Sequence, residues 1–290
     1  MKYVGPEAFR EALESRLLKE FRDSGKPLDY LRKRVAFERF LARLFAEEHP
    51  EHPFVLKGAF ALSLRVGARR TTKDLDLALN MATLDQEASQ LIEQIRIAAE
   101  RDLNDFFVFV VSQRASSTTQ EPNAHRFTVE VTLAGRPFER FALDVVAEPL
   151  GPEAVEERRL PASVGFAGLR PPTVRAVHPT RQYADKLHAY TRPREHRSRV
   201  KDLVDLALLT IELEGEPNAR ERIRREVGQV FASYPTHEPW LDLPKPPASW
   251  QPAFAALARE VGLEPPDADS WFRVVNEFYL LLRQDERNNK

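Results

Sequence analysis

Cysteine is absent from the 290-residue chain. That excludes disulfides, thiolate zinc sites and cysteine nucleophiles, so any bound metal must be held by oxygen or imidazole. Long apolar runs are missing too: nothing approaches the ~18 residues of a membrane-spanning helix, and the opening MKYVGPEAFREALES is polar with helical spacing rather than a charged-then-apolar leader. The expectation is a cytoplasmic protein with no membrane partner. There is no excess of charge of one sign, because 43 Lys and Arg face 44 Asp and Glu. A global basic field of the kind that marks many nucleic-acid binders is therefore excluded. The seven histidines do not form a metal set: His49 and His52 are separated by Pro50 and Glu51, and no HExxH spacing occurs. The phosphate loop ending in glycine-lysine-serine/threonine and the dinucleotide fingerprint are both missing. No internal repeat is present.

What is present is a globular composition, 42% apolar, in a chain long enough for one large domain or two ordinary ones. Up to about Glu48 the apolar residues Phe37, Phe40, Leu41, Leu44 and Phe45 recur at helical spacing, predicting a helical pair. From Phe54 to Val146 short segments alternate. Ala59–Val66 and Leu84–Arg101 read as helices, while Leu75–Leu79, Phe106–Ser112, Phe127–Leu133 and Phe138–Val146 read as strands. That is an α/β domain with an antiparallel or mixed sheet. Glu148–Val174, rich in proline and glycine, reads as a loop. Beyond it the chain reads as helical, with a proline-dense loop from Pro235 to Pro252. The boundary falls near residue 150.

Chemistry concentrates in KGAFALSLRVGARRTTKDLDLAL, residues 57–79. On a strand, Asp74 and Asp76 point to the same side while Leu75 and Leu77 go to the core. Two carboxylates that close repel unless a cation or proton sits between them, and a hard divalent ion such as Mg²⁺ is the simplest partner. Solvated aspartates on a sheet edge fit the spacing equally well. Asp144 stands among apolar neighbours in FERFALDVV, and a buried carboxylate requires a partner. If its strand lies beside that of Asp74, three carboxylates converge as ligands for two metal ions; otherwise Asp144 is a hydrogen-bonded strand-end residue. Upstream, Gly58 lets backbone approach a phosphate, with Lys57 before it and a helix N-terminus after it, and Thr71 and Thr72 bring hydroxyls.

Two helical segments add charge. Lys186 sits at the edge of the apolar stripe Tyr183, Leu187, Tyr190, and Asp202 and Asp205 lie beside Leu209 on the nearly all-apolar helix RVKDLVDLALLTI. Either these form a salt-bridged helix pair, with Lys186 or Arg199 as the cation, or the lysine serves a triphosphate. Arg65, Arg69 and Arg70 form one local basic group. Arg192, Arg194, Arg197, Arg199 and Lys201 form another. Both are either solvated faces or phosphate contacts.

Lys57-Gly58 with Ala61-Leu62, then Gly67, Arg70, Thr72, Asp74-Leu75-Asp76, LDVV, Asp185 to Tyr190, and Arg199 to Leu206 occur in an order that resembles the AbiEii/MenT nucleotidyltransferase toxins, over about Phe54 to Leu209. The resemblance implies an α/β, DNA polymerase β-like nucleotidyltransferase domain in residues 1–150 and a mainly helical domain in 151–290. It implies the toxin of a type IV toxin–antitoxin pair with a separate antitoxin, using Mg²⁺ and an NTP to modify an acceptor, foremost the 3′ end of tRNA. Under it, Asp74 and Asp76 are metal ligands, joined by Asp144. Lys57, Gly58, Thr71 and Thr72 would meet the nucleotide, Lys186 is the essential lysine, and Asp202 is a catalytic aspartate. Arg192, Arg194, Arg197 and Arg199 would bind RNA. Two positions depart from the family pattern: Ala59 follows Gly58 where serine or glycine is common, and Lys201 stands where arginine often precedes the aspartate. Other classes of function remain open: a protein-modifying nucleotidyltransferase, a kinase-like phosphotransferase, and a non-catalytic nucleotide- or antitoxin-binding module.

Overall fold

A computed structural model of the chain describes residues 2–46, 53–66, 72–80, 88–113, 124–193, 198–239 and 242–288. Its contacts divide into two compact units, Met1–Leu64 with Thr71–Ala176, and Arg65–Arg70 with Val177–Lys290.

The first unit opens with the expected helical pair, α1 (Pro6–Ser24) and α2 (Leu28–Leu44). Then follow β1 (Phe54–Lys57), α3 (Gly58–Val66), β2 (Asp74–Asn80), α4 (Ala88–Ala99), β3 (Phe107–Gln113), β4 (Ala124–Leu133), β5 (Arg136–Glu148), β6 (Val155–Arg159) and β7 (Thr173–Val177). The strands form one mixed sheet in the order β3-β4-β5-β2-β1-β7-β6. The β2–β5 and β1–β7 pairs are parallel, and the β1–β2, β3–β4 and β4–β5 pairs antiparallel.

Period-two patterning decides which face is wet. Phe107, Phe109 and Val111 of β3 are buried while Val108, Val110 and Ser112 are exposed, and Phe127, Val129 and Val131 of β4 and Phe141, Leu143 and Val145 of β5 continue the buried face. This face meets α2. The Phe37 ring lies 5.1 Å from that of Phe60 and 4.8 Å from that of Phe141, and Phe40 lies 5.8 Å from both Phe109 and Phe141. Burial of each such side chain contributes roughly 1.5–3 kcal/mol. The opposite face of these three strands and of β2 beside β5 is the polar one, and it carries the aspartates.

The inward side of α2 also carries charge. Asp105, wholly buried, accepts hydrogen bonds from Arg39 at 2.7 Å and from Arg43 at 2.9 and 2.6 Å. Burial acts to raise the Asp105 pKa, and the Arg43 and Arg39 hydrogen bonds and charges overcome it, so it lies below the ordinary carboxylate value. Glu38 is different. It is 1% exposed, and burial pushes its pKa up to about 7 against the Ser163 hydroxyl and backbone N–H and the Arg34 charge.

The sheet runs on past residue 150. The stretch expected to be a loop contains β6 and the start of β7, with 3-10 turns at Pro152–Ala154 and Gly165–Ala167. β6, with the sequence VEERR, is the terminal strand of the sheet, so it lacks the apolar alternation that announces a strand. The expected Leu84–Arg101 helix is α4, and its first residues lie outside the described ones.

The second unit holds α5 (Pro179–Thr191), α6 (Val200–Leu213), α7 (Ala219–Ser233), α8 (Gln251–Val261) and α9 (Ala268–Asn288). α6 is central, contacting α5, α8 and α9. α8 begins at the end of the proline-dense stretch: Pro252 stands in its first turn, where the missing N–H costs nothing and the fixed φ favours the helix. Among the described residues no helix is long and apolar enough to cross a membrane.

Glu38 provides a pH test. A carboxyl whose folded pKa is raised stabilises the fold fully below its unfolded pKa, and that stability is lost as pH rises through about 7. Glu38→Gln, measured by denaturant unfolding, is expected to match wild type near pH 4.5 and to exceed it by an amount that grows between pH ~5 and ~8. A gap that does not change with pH would count against a raised Glu38 pKa.

Candidate active site

The polar sheet face carries two rows of residues at one end of β2. In the first row, Lys57 of β1 stands opposite Asp76 of β2, Asp76 beside Asp144 of β5, and Asp144 opposite Arg126 of β4. One step along, Asp74 stands beside Ala142, Ala142 opposite Thr128, and Thr128 opposite Ser112 of β3. Parallel pairing of β2 with β5 thus brings Asp74, Asp76 and Asp144 onto one face of adjacent strands. The condition set for Asp144, a strand beside that of Asp74, is met.

Gly58 begins α3 at the end of β1 with φ +70°, a conformation L side chains rarely adopt. A Cβ there would stand 2.6 Å from Asp76 Cγ and 2.8 Å from its Cβ. The Asp76 carboxylate therefore lies directly against the first residue of α3, at the positive end of the helix, and only glycine leaves it room. Lys57, just before it, forms an ion pair with Glu148, a carboxylate only 1% exposed. Thr72 donates its hydroxyl proton to the Asp74 carbonyl at 2.9 Å, which anchors the start of β2 and uses its one donor. Thr71 lies outside the described residues.

Arg126 was not singled out from the sequence. Its Nη2 reaches Asp74 Oδ2 at 3.3 Å and its Nε approaches Asp144 Oδ1 at 2.9 Å, so one guanidinium spans the two carboxylates. The signal available was a lone arginine opening FTVEVTL at even spacing from the outward-facing Thr128 and Glu130. Three carboxylates with oxygen donors on an open face suit a hard divalent cation in kind, and Asp74, 45% exposed, is accessible to one. With Arg126 in place, no group of three or more His, Asp or Glu among the described residues is arranged to hold an ion. The Asp74–Asp76 pair suits a metal in kind, and Arg126 is the protein cation beside both Asp74 and Asp144.

The other expected residues lie in the second unit. Lys186 of α5 meets Asp205 at 2.8 Å and Asp202 at 3.3 Å, and Arg199 at the start of α6 meets Asp202 at 3.2 Å. Asp205 is fully buried. Two cations and two carboxylates thus tie α5 to the first turns of α6, which is the salt-bridged helix pair in physical form. It holds Lys186 in place by two carboxylates rather than leaving it to snorkel. Arg199, expected to meet RNA, has its guanidinium on Asp202. Arg192 caps α5, its N–H donating to the His188 carbonyl at 3.0 Å, while Arg194 and Arg197 lie outside the described residues.

The model of the nucleotidyl transferase AbiEii toxin family, type IV toxin–antitoxin system, matches residues 39–277. The chain belongs to this family. No curated protein sequence matches significantly. Among solved structures it is similar to MenT4, a nucleotidyltransferase toxin from Mycobacterium tuberculosis H37Rv, with a TM-score of 0.60 and 17% identity, covering 95% of this chain and 92% of that one. At that identity the likeness establishes the fold, an α/β nucleotidyltransferase toxin fold. An AbiEii toxin has an antitoxin as its partner, and nucleotide transfer is the activity the family and fold suggest.

The Gly58 approach makes a direct prediction. Gly58→Ala is expected to lose at least ~1–2 kcal/mol of stability from the positive φ alone, with the Asp76 side chain displaced as well. Thermal unfolding measures the first effect. A variant as stable as wild type would mean that Asp76 does not lie against this backbone.

Proposed function

We propose that this AbiEii toxin transfers a nucleotide from an NTP to an acceptor hydroxyl, foremost the 3′ end of tRNA, and so blocks translation. The observation that carries the reading is the lateral placement of Asp76 beside Asp144, with Asp74 on the same open face. Two readings of Asp74 and Asp76 were equal from spacing alone. Solvated edge aspartates do not explain a glycine held at positive φ against one of them or an arginine spanning from the other to Asp144.

In this reading Asp74 and Asp76 would hold a divalent cation, with Mg²⁺ the hard oxygen-seeking choice, which would supply charge neutralisation for the triphosphate. The α3 N-terminus offers its free N–H groups to a phosphate, beside the Asp76 carboxylate that lies against Gly58. The acceptor oxygen attacks the α-phosphorus in line; the bond to pyrophosphate breaks, and the hydroxyl proton passes to the Asp144 carboxylate. Lys57 serves here mainly through its pair with Glu148, steadying the strand end before Gly58. A phosphate contact from Thr72 requires its hydroxyl to leave the Asp74 carbonyl. The resemblance makes Lys186 the essential lysine and Asp202 a catalytic aspartate; of the two roles open to Asp202, orienting that lysine or the acceptor, the ion pair between them supports the first.

The test uses α- and γ-labelled NTPs with Mg²⁺ and total RNA. Label from the α position on tRNA is expected; γ-transfer, or label on protein, would overturn the reading. Asp76→Ala should reduce transfer by at least ~10²-fold while keeping the wild-type circular dichroism spectrum, and retained transfer would remove Asp76 from the mechanism.

A further inference from the structure

Where β2 begins at Asp74, β5 runs on without it through Arg140 and Phe141, and the missing neighbour leaves a notch in the sheet. A solvent-open cavity of about 600 Å³ occupies this notch, within the range of ligand sites. Lys33 of α2, Lys73, Arg140, Thr128 and Ser112 line it, and Asp74 forms one wall. Ala142, between Asp74 and Thr128, is too small to fill the row and leaves the cavity open beside Asp74.

Its charge is cationic beside an acidic site. Two of the cations are ion-paired at distances longer than a hydrogen bond, Lys33 with Glu139 at 3.8 Å and Arg140 with Glu130 at 3.7 Å. Their N–H donors thus remain available to an incoming anion. Asp74 is partly balanced by Arg126 at 3.3 Å. Hydroxyls of Thr128 and Ser112 add neutral partners.

Position across the sheet distinguishes the two anions that such a site could serve. The glycine and helix N-terminus suited to a triphosphate lie on the β1 side of Asp76, whereas the cavity lies on the β5–β4 side of Asp74. In-line displacement puts the attacking oxygen opposite the leaving pyrophosphate, so an acceptor enters from the side away from the triphosphate. We propose that this cavity binds a backbone phosphodiester of the acceptor RNA, with Lys73 and Arg140 as its principal cations and Lys33 behind them. The proposal rests on the nucleotidyl-transfer reading and names where its acceptor lies.

Binding tests it separately from transfer. The probes are a fluorescein-labelled tRNA pool, followed by anisotropy across a salt series, and each of the four MANT-labelled NTPs with Ca²⁺. The variant Lys73→Gln with Arg140→Gln, at exposed positions, should weaken tRNA binding by ~10-fold or more and lower the slope of log K against log[salt] by about 1–2, leaving MANT-NTP affinity unchanged. Loss of NTP affinity with tRNA binding intact would make the cavity a triphosphate subsite and overturn the proposal. Unchanged tRNA affinity and salt slope, or no tRNA binding by wild type, would overturn it as well. Should label appear on protein in the transfer assay while tRNA binding keeps its Lys73 and Arg140 dependence, the transfer reading fails and the RNA site stands.

Discussion

The parallel pairing of β2 with β5 is the constraint on which the site depends. In a parallel pair, one register aligns every side chain of one strand with a neighbour on the same face of the other. With Asp76 beside Asp144, Leu75 and Leu77 fall beside Leu143 and Val145 on the buried side, and the carboxylates are left on the open side. A slip of one residue would bury Asp76 and expose Leu75 and Leu77. The apolar core therefore enforces the active-site register, and the aromatic packing of Phe37 and Phe40 on Phe141 holds β5 where that register needs it.

Electrostatics around this row balance locally. Lys57 and Arg126 stand at its two ends, with Asp76 and Asp144 between them, and Asp74 shares Arg126. A protein cation can keep like-charged carboxylates together before any ligand arrives, at the cost of competing with one. The second unit uses the same device in drier surroundings, with Lys186 and Arg199 against Asp202 and a fully buried Asp205. There the cost of leaving a buried charge without its partner, about 3–5 kcal/mol, makes the cluster a fixed element of the α5–α6 pair.

Membership of the AbiEii family joins these features to a biological role, that of a toxin with its antitoxin. Nearly neutral net charge leaves the surface as a whole without a basic field. Of the arginines after α5, Arg199 is less available to a ligand than the clustering suggested, since its guanidinium is on Asp202.

Local pattern alone determined the helical pair at the start, the α/β alternation, and the same-side placement of Asp74 and Asp76; it offered Gly58 for close approach to a phosphate, and the structure placed the Asp76 carboxylate there. These follow from periodicity and stereochemistry, which act within a few residues. Tertiary structure decided the rest. It made β6 a strand although its sequence lacks alternation, because an edge strand has one flank without a neighbour. It placed Asp144 and Arg126 beside the aspartates, and it matched Lys186 with Asp205. Pairings of that kind are set by which strands and helices become neighbours, so sequence spacing offered the Asp144 and Lys186 partners only as alternatives and did not single out Arg126 before the core had closed.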